Sequence, residues 1–513
     1  MNNPMQHRSW ILGICGRAAG TALALAIMLV PAVLATRSAQ AQTYTFSVPH
    51  SFTGPPDGGI PYAGVVWDAQ GNLYGTTSGG GASAYGTVFK LDTTGNETVL
   101  YSFTGTGTDG LDPQGNLMRD AKGNLYGTTV QGGVGCTAED GCGTVFKLDT
   151  AGKETVLHDF TGSPDGSSSF SGLVRDTQGN LYGTTSGGGE PACKFGCGTV
   201  FKLDKAGNEI VLYSFTGGTD GGSPYPGLVR DTQGNLYGTT AAGGDNACKN
   251  GCGIVFKLDA TDHETVLYSF TGGADGLGPQ GNLVRDAQGN LYGTSGGGAS
   301  GYGTVFKLDA SGKETVLYGF TGATKGDGAY PSGSLVRDAQ GNLYGTTSSG
   351  GVSLWWGTVF KVDKNGKETV LYSFTGGADG QYPNGLVRDT QGNLYGTTSL
   401  GGASGYGTVF KLTPAAVTTT TLSSSPNPSS YGQPVTFTAE VTSKLGAPPD
   451  GETVSFMKGT TLLGTGTLSD GSATFTMSTL KVGTTSVTAV YAGDSKFAGS
   501  KSKAVKQVVE KAE

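Results

Sequence analysis

The sequence predicts an all-β protein, a seven-bladed β-propeller closed by its N-terminal strand and followed by an immunoglobulin-like β-sandwich. Three observations lead to this prediction. A six-residue motif recurs seven times, each repeat contains four short apolar runs, and 92 Gly accompany 22 Tyr and 21 Phe. Only 14% of the residues are charged, so short strands joined by glycine turns are favoured over helices or a disordered chain.

Residues 1–41 have the pattern of a secretory signal peptide. Arg8 and Arg17 precede an apolar run over residues 18–35, and Ala-Gln-Ala at 39–41 follows as a small-residue cleavage site. A retained membrane anchor is the alternative. Because Pro31 interrupts the run, we expect cleavage and a secreted or cell-surface product.

The repeated motif is Gly-Asn-Leu-Tyr-Gly-Thr, and its period predicts the architecture. Its tyrosines are Tyr74, Tyr126, Tyr182, Tyr237, Tyr292, Tyr344 and Tyr395. A period of about 50 residues is typical of propellers and solenoids. In the fifth repeat, strands a, b, c and d are predicted at 283–286, 290–294, 304–308 and 315–320. Four strands joined as a meander make one propeller blade.

The connections alternate between short and long. Asp-x-x-Gly sequences predict tight a–b and c–d turns, whereas the b–c and d–a loops are longer and share the opposite face. We expect any ligand site on this long-loop face. The d–a loops each carry an Asp-Gly pair, at Asp57, Asp109, Asp165, Asp220, Asp275, Asp327 and Asp379. One carboxylate per loop favours turn formation over a calcium site.

The two ends of the repeat region are complementary. The seventh repeat stops after strand c at 407–412, whereas residues 44–52 resemble a strand d without its own repeat. Joining them completes seven blades and removes exposed sheet edges, so a closed propeller over residues 42–414 is favoured over an open solenoid. Residues 415–513 change to Thr, Ser and Val alternation, which predicts the sandwich.

Two resemblances follow from these motifs. The repeat, with Gly-Thr-Val-Phe-Lys-Leu-Asp and Glu-Thr-Val-Leu-Tyr-Ser-Phe, resembles the Gloeo-Verruco (GloVer) tandem repeat of exported bacterial proteins over about residues 44 to 413. The C-terminal part, with Pro-Asn-Pro-Ser-Ser-Tyr-Gly-Gln-Pro-Val-Thr-Phe, resembles bacterial Ig-like repeat domains. The GloVer resemblance implies export, and it supplies no catalytic residues.

Six cysteines remain after the predicted cleavage, and all lie in b–c loops. They form three near-neighbour pairs: Cys136 and Cys142, Cys193 and Cys197, and Cys248 and Cys252. An even number in an exported chain favours disulfides. A zinc half-site is the alternative, but no His or further Cys lies nearby in sequence to complete four ligands. We expect no metal and no cofactor.

The residue before the strand c motif is a cysteine in three repeats and an aromatic residue in the other four. It is Tyr85, Cys142, Cys197, Cys252, Tyr302, Trp356 and Tyr406. Because an aromatic replaces the cystine, we expect both to hold the loop in place. Trp355 is an additional aromatic, and Trp355 and Trp356 are the candidate ligand-binding residues.

Strand a carries an arginine in six repeats and Trp67 in the first. The arginines are Arg119, Arg175, Arg230, Arg285, Arg337 and Arg388. Each lies next to the aspartate of its own a–b turn in the sequence. We expect local pairing with that aspartate.

The predicted function is that of an exported, non-catalytic binding or adhesion protein. Its long-loop face would bind an extracellular glycan or cell-surface component multivalently, with the Ig-like module as a spacer. Catalysis needs one asymmetric set of acid and base groups, whereas these acids repeat seven times. A structural matrix component and a carbohydrate-active enzyme are the alternatives. A net charge of −7 without a basic cluster argues against nucleic acid as a partner. No membrane span is expected after cleavage.

Overall fold

The computed structural model describes residues 44–135, 141–189, 193, 196–244, 247–322, 326–352, 355–494 and 496–512. The regular structure of these residues is β-strand, without an α-helix, so the all-β prediction is confirmed. The predicted signal peptide lies outside the described residues. Within them, no helix has the length and apolar character needed to cross a membrane.

The strands of the repeat region are short and evenly distributed. They are β1 (Tyr44–Ser51), β2 (Val66–Trp67), β3 (Leu73–Thr77), β4 (Thr87–Leu91), β5 (Glu97–Ser102), β6 (Gly110–Leu111), β7 (Met118–Arg119), β8 (Leu125–Thr128), β9 (Gln131–Gly132), β10 (Thr144–Leu148), β11 (Glu154–Asp159), β12 (Val174–Arg175), β13 (Leu181–Thr185), β14 (Thr199–Leu203), β15 (Glu209–Ser214), β16 (Val229–Arg230), β17 (Leu236–Thr240), β18 (Ile254–Leu258), β19 (Glu264–Ser269), β20 (Val284–Arg285), β21 (Leu291–Ser295), β22 (Thr304–Leu308), β23 (Glu314–Gly319), β24 (Ala329–Pro331), β25 (Val336–Arg337), β26 (Leu343–Ser349), β27 (Thr358–Val362), β28 (Glu368–Ser373), β29 (Gln381–Arg388), β30 (Leu394–Leu400) and β31 (Thr408–Pro414).

Seven sheets of the described chain repeat one order, from strand a to strand d. Sheets 1 to 7 are β2-β3-β4-β5, β7-β8-β10-β11, β12-β13-β14-β15, β16-β17-β18-β19, β20-β21-β22-β23, β25-β26-β27-β28 and β29-β30-β31-β1. In sheet 6, β24 also pairs with β26, and β6 and β9 form a small separate ladder. Each of the seven is therefore an antiparallel meander.

A glycine–phenylalanine pair determines how each core is filled. Gly238 of strand b lies opposite Phe256 of strand c, whose side chain is fully buried. A methyl group at Gly238 would lie 2.6 Å from this ring, so only glycine leaves room for it. Phe270, which follows strand d, contacts Phe306 of the next sheet with ring centroids 5.2 Å apart. Neighbouring sheets therefore share their cores.

The a–b turn explains the Asn and Tyr of the repeated motif. The Asp286 carboxylate accepts hydrogen bonds from the Gln288 and Asn290 N–H groups, from the Asn290 side chain and from the Tyr292 hydroxyl. Burial alone would raise the pKa of Asp286, but these donors outweigh it and hold the pKa below its ordinary value. The motif residues therefore stabilise a tight turn.

The N-terminal strand completes the last sheet, as the sequence predicts. β1 pairs with β31, with Phe46 opposite Leu412. In addition, the Thr397 hydroxyl of sheet 7 donates a hydrogen bond to the Ala63 carbonyl of sheet 1 at 2.7 Å. Equivalent threonine bonds join sheets 2 and 3, 3 and 4, and 6 and 7. The last sheet is thus linked to the first as neighbouring sheets are to each other.

The C-terminal strands form two sheets around a separate core. They are β32 (Thr418–Ser425), β33 (Ser429–Ser430), β34 (Val435–Ser443), β35 (Thr453–Lys458), β36 (Thr461–Thr467), β37 (Ser472–Met477), β38 (Gly483–Gly493), β39 (Ala498–Lys501) and β40 (Val505–Glu510). One sheet has the order β32-β34-β37, and the other β33-β40-β38-β35-β36 with β39 beside β38. Phe437, Phe456 and Tyr491 are buried in their shared core.

Candidate functional site

The aspartates of the d–a loops are bound by their own loops. Asp275 accepts hydrogen bonds from the Thr271 N–H and hydroxyl, both at 2.7 Å, and from the Tyr268 hydroxyl at 2.9 Å. Threonine donates in this way in all seven loops. Among the described residues, no group of three or more His, Cys, Asp or Glu is placed to hold a metal. The arrangement supports turn formation.

A glutamate at the start of strand d faces the aspartate of the preceding loop in six sheets. Burial and, to a smaller extent, the charge of the Asp220 carboxylate together raise the pKa of Glu264 to about 7. One Glu264 oxygen is buried without a hydrogen-bond partner among the described residues. The same rise to about 7 occurs at Glu97, Glu154, Glu209, Glu314 and Glu368. These carboxyl pairs recur where one sheet packs against the next. We call such a place a joint.

The joint between sheets 6 and 7 differs from the other six. Phe46 of β1 lies opposite Leu412, the position at which Glu264 lies opposite Leu258 in sheet 4. Its ring stacks on Tyr372 with centroids 3.8 Å apart and planes 6° from parallel. The closing strand therefore contributes an apolar contact where the other sheets have an ionisable group.

The residue before strand c packs on a glycine of the d–a loop in every sheet. A methyl group at Gly376 would lie 2.6 Å from the Trp356 ring, and one at Gly54 would lie 2.9 Å from the Tyr406 ring. Both glycines also have positive φ. A side chain at either position is therefore disfavoured both by the nearby ring and by the backbone conformation. The interpretation that these aromatics hold the loop in place agrees with these contacts.

Disulfides occupy the same position in the middle sheets. Cys193 and Cys197 are bonded, as are Cys248 and Cys252, with Cα atoms 5.3 and 5.2 Å apart. Cys142 is also disulfide-bonded, whereas Cys136, its predicted partner, lies outside the described residues. Their sulfur atoms pack on the d–a glycines as the aromatic rings do elsewhere.

The expected local pairing of the strand a arginines is wrong. The guanidinium of Arg285 lies over the Tyr237 ring of the preceding sheet, 5.3 Å from its centroid. Its Nη2 is 3.9 Å from Asp231, the turn aspartate of that sheet. The other five arginines lie over the preceding tyrosine in the same way. The reason is that the oxygens of the adjacent turn aspartate already accept hydrogen bonds from their own turn, as Asp286 does.

The two candidate tryptophans have different environments. Trp355 is 66% exposed, whereas Trp356 packs on Gly376 and lies edge-on to Tyr382 with ring centroids 6.3 Å apart. Trp356 is therefore largely used in packing. Trp355 remains available at the surface, as does Trp67 at 40% exposure.

Two exposed tyrosines lie beside these loops with an unusual backbone conformation. Tyr330 and Tyr382 have φ of 56° and 57°, a region that bulky residues rarely occupy. The N–H of Tyr330 donates to the Tyr302 carbonyl and that of Tyr382 to the Trp356 carbonyl. The equivalent residue has positive φ in every repeat, and it is Ile60, Asp112, Ser168, Ser223 and Gly278 in the others. The fold imposes this conformation, and glycine satisfies it most readily.

A polar cavity of about 110 Å³ lies where all seven sheets meet. Its lining comes from the short segments that lead into strand a: Tyr62, Ala63, Gly64, Gln114, Asn116, Phe170, Gly172, Tyr225, Pro226, Gln280, Asn282, Ser332, Gly333, Ser334, Asn384 and Gly385. Each of the seven sheets contributes residues to this lining, so the cavity is shared by all of them. We call it the axial cavity.

Sequence reasoning missed the axial cavity. The residue at the position of Tyr62, Gln114, Phe170 and Tyr225 changes from repeat to repeat, and recurring motifs do not reveal such a position. Yet this variation was itself a signal, because invariant positions of a repeat maintain the fold and variable ones are free to differ in chemistry.

A family model of the Gloeobacter/Verrucomicrobia repeat matches residues 37–250 and again residues 246–477. The chain belongs to this family. The second match in this Gloeobacter/Verrucomicrobia repeat protein continues beyond residue 413, where the sequence repeat was predicted to end. No curated protein matches the chain.

Solved structures similar to this repeat protein have low sequence identity. The extracellular domain of a protein described as a hybrid two component system from B. thetaiotaomicron has 13% identity and a TM-score of 0.45, over 92% of this chain. The chain spans 60% of the length of that structure. A gluconolactonase from Xanthomonas campestris has 15% identity and a TM-score of 0.38, over 71% of this chain and 98% of the enzyme.

Proposed function

We propose that the protein is an exported, non-catalytic binding protein whose long-loop face binds an extended extracellular glycan. In this proposal the seven sheets are the blades of one closed β-propeller over residues 42–414, and residues 415–513 form an immunoglobulin-like spacer. The links from the last sheet to the first support the propeller. Two sheets around one core support the sandwich, and the predicted signal peptide and the disulfides support export.

The proposed binding residues are three aromatic side chains that do not pack on the glycines of the d–a loops. Tyr330 and Tyr382 are 44% and 36% exposed, and Trp355 is 66% exposed. The two tyrosines occupy a position where Gly278 shows that glycine suffices, and a left-handed backbone costs a bulky residue about 1–2 kcal/mol. The presence of two exposed tyrosines at positions with a strained backbone is the observation that carries the proposal, because exposed rings offer stacking surface to sugar C–H groups.

The groups that recur in six or seven repeats support packing more than multivalent binding. The d–a aspartates, the strand a arginines and the residues before strand c all have partners within the protein. Recognition is therefore assigned to residues that differ between repeats. The paired carboxyls typified by Asp220 and Glu264 recur at six joints, which supports a structural role for them over a single catalytic centre.

The variant Tyr382→Gly tests this proposal. Glycine adopts the observed φ without strain, and this gain offsets the greater conformational freedom that glycine gives the unfolded chain, so the free energy of unfolding should change by less than about 1 kcal/mol while the ring is lost. We expect retardation of the protein in native gels that contain xylan, β-glucan or bacterial exopolysaccharide to fall at least fivefold in Tyr382→Gly and in Trp355→Ala. Tyr431→Gly removes an exposed tyrosine from the C-terminal sheets and should leave retardation unchanged.

Two results would count against glycan binding. Retention of the wild-type protein by none of the polysaccharides would favour the alternative of a structural surface component. Retention that survives the loss of all three aromatics would place binding elsewhere on the molecule. Thermal melting of each variant shows whether a change in retention comes from unfolding.

A further inference from the structure

We propose that the axial cavity is a second binding site, for one small uncharged sugar or polyol. Tyr330, Trp355 and Tyr382 are not among the residues that line it. The cavity's volume of about 110 Å³ is roughly that of seven to ten ordered water molecules. A single small sugar ring therefore fits, whereas a polysaccharide segment does not.

The lining excludes charged ligands and favours neutral polar ones. Within the described chain, the residues around the cavity include no Asp, Glu, His, Lys or Arg. An anion would find no cationic partner there and a cation no carboxylate, so either would lose solvation without compensation. Amides and hydroxyls can instead replace the water around a ligand hydroxyl by direct hydrogen bonds.

Several donor groups of the lining have no acceptor among the described residues. Asn116 and Asn282 each accept a backbone N–H from the preceding sheet, at 2.8 Å from Gly64 and 2.7 Å from Gly227. These bonds orient both side chains, and the Nδ2 groups donate to nothing else among the described residues. The Gln280 side chain is likewise without a hydrogen bond in the described part of the chain. The cavity thus holds oriented donors with free capacity.

Aromatic and polar side chains both line the cavity, and Tyr62 of sheet 1 is a third ring in the lining besides those of sheets 3 and 4. Phe170 and Tyr225, from sheets 3 and 4, lie with ring centroids 5.2 Å apart and planes tilted by 43°. Gln280 and Ser332, from sheets 5 and 6, supply amide and hydroxyl groups on the same lining. A sugar ring has a C–H face and a rim of hydroxyls, and a lining that contains both aromatic rings and hydrogen-bonding groups offers contacts to each. The match identifies the ligand class.

The test measures binding of monosaccharides to the full mature chain. The probes are glucose, galactose, N-acetylglucosamine and myo-inositol, with glucuronate and glucose 6-phosphate as charged counterparts. We expect at least one neutral probe to bind with a Kd of about 1 mM, measured by saturation-transfer NMR and calorimetry. The charged counterparts should bind at least tenfold more weakly.

Two variants assign the binding to the cavity. Tyr225→Leu removes one aromatic ring of the lining, and Gln280→Ala removes an amide that no described protein group uses, so both should fold normally and weaken binding at least fivefold. Tyr431→Leu is the matched control at a tyrosine exposed outside the cavity. Trp355→Ala should leave monosaccharide affinity unchanged, which separates this site from the polysaccharide surface.

Three outcomes would overturn the proposal. They are the absence of binding by every neutral probe at 20-fold the expected Kd, equal binding of the charged counterparts, and full affinity in both cavity variants with melting temperatures that show them folded. A loss of affinity in Trp355→Ala that equals the loss in Tyr225→Leu would also overturn it, because a single surface would then account for both effects.

Discussion

The carboxyl pairs at the joints between sheets predict an unusual dependence of stability on pH. The pKa of Glu264 rises from 4.5 to about 7 on folding. Its acid form is thus favoured in the folded chain, whereas the unfolded chain ionises above pH 4.5. The stability associated with this group is fully present below pH 4.5, falls as the pH rises towards 7 and is lost above it.

The variant Glu264→Gln isolates this effect, because the amide copies the neutral acid and cannot ionise. A rise from 4.5 to about 7 corresponds to at most about 3 kcal/mol. Glu264 is only partly buried, so solvent screening reduces the figure to about 1–2 kcal/mol. We therefore expect the variant to be more stable than wild type by about 1–2 kcal/mol at pH 8 and equally stable at pH 4.

The assay is thermal unfolding of both proteins at pH 4, 6 and 8 in constant ionic strength. For a ring of this size, 1 kcal/mol shifts Tm by about 1 °C. Replacing all six joint glutamates should therefore raise Tm by about 10 °C at pH 8, if the separate sites add. Glu440→Gln, at an exposed glutamate of β34, is the control and should show no pH-dependent difference.

The reasoning would be refuted by a Tm difference between Glu264→Gln and wild type that is the same at pH 4 and pH 8. It would also be refuted by a variant that is less stable than wild type at pH 8. Either result would mean that the carboxylate is tolerated at the joint, through solvent or through a partner outside the described contacts.

Two further predictions concern the ring itself. Deletion of residues 42–56 removes β1 and the fully buried Phe52, so Tm should fall by about 10 °C or more; an unchanged melting curve would contradict closure by this strand. A double-mutant cycle of Arg285→Gln with Tyr237→Leu should give a coupling energy of about 0.5–1 kcal/mol, measured from chemical unfolding. The cycle of Arg285→Gln with Asp286→Asn should give about zero, and the reverse pattern would restore the local pairing that the structure contradicts.

The recurring parts of the fold could be predicted from the sequence because identical residues must solve identical problems. Gly238 and Phe256 recur together since one leaves room for the other. The Asp-x-x-Gly turns and the unmatched strand at residues 44–52 were readable for similar reasons. Each depends on contacts within one repeat or on a simple count of strands.

Contacts between repeats were less accessible to this reasoning. The partner of Arg285 is Tyr237, 48 positions earlier in the chain, whereas the sequence suggested the adjacent aspartate. The joint between Asp220 and Glu264 was missed for the same reason. The axial cavity collects two or three residues from each of seven sheets, and only the three-dimensional arrangement places Phe170 next to Tyr225.

The closure of the ring by β1 has a consequence for how the chain assembles. β1 and β31 are separated by more than 350 residues, whereas the other sheets are built from strands close in sequence. Local sheets are therefore expected to form first, and the long-range pairing last, because it closes the largest loop. Until then β31 presents an open edge that the β1 of a second copy can occupy. At high concentration during refolding this exchange would produce domain-swapped dimers or longer chains, whereas dilute refolding would favour the closed monomer.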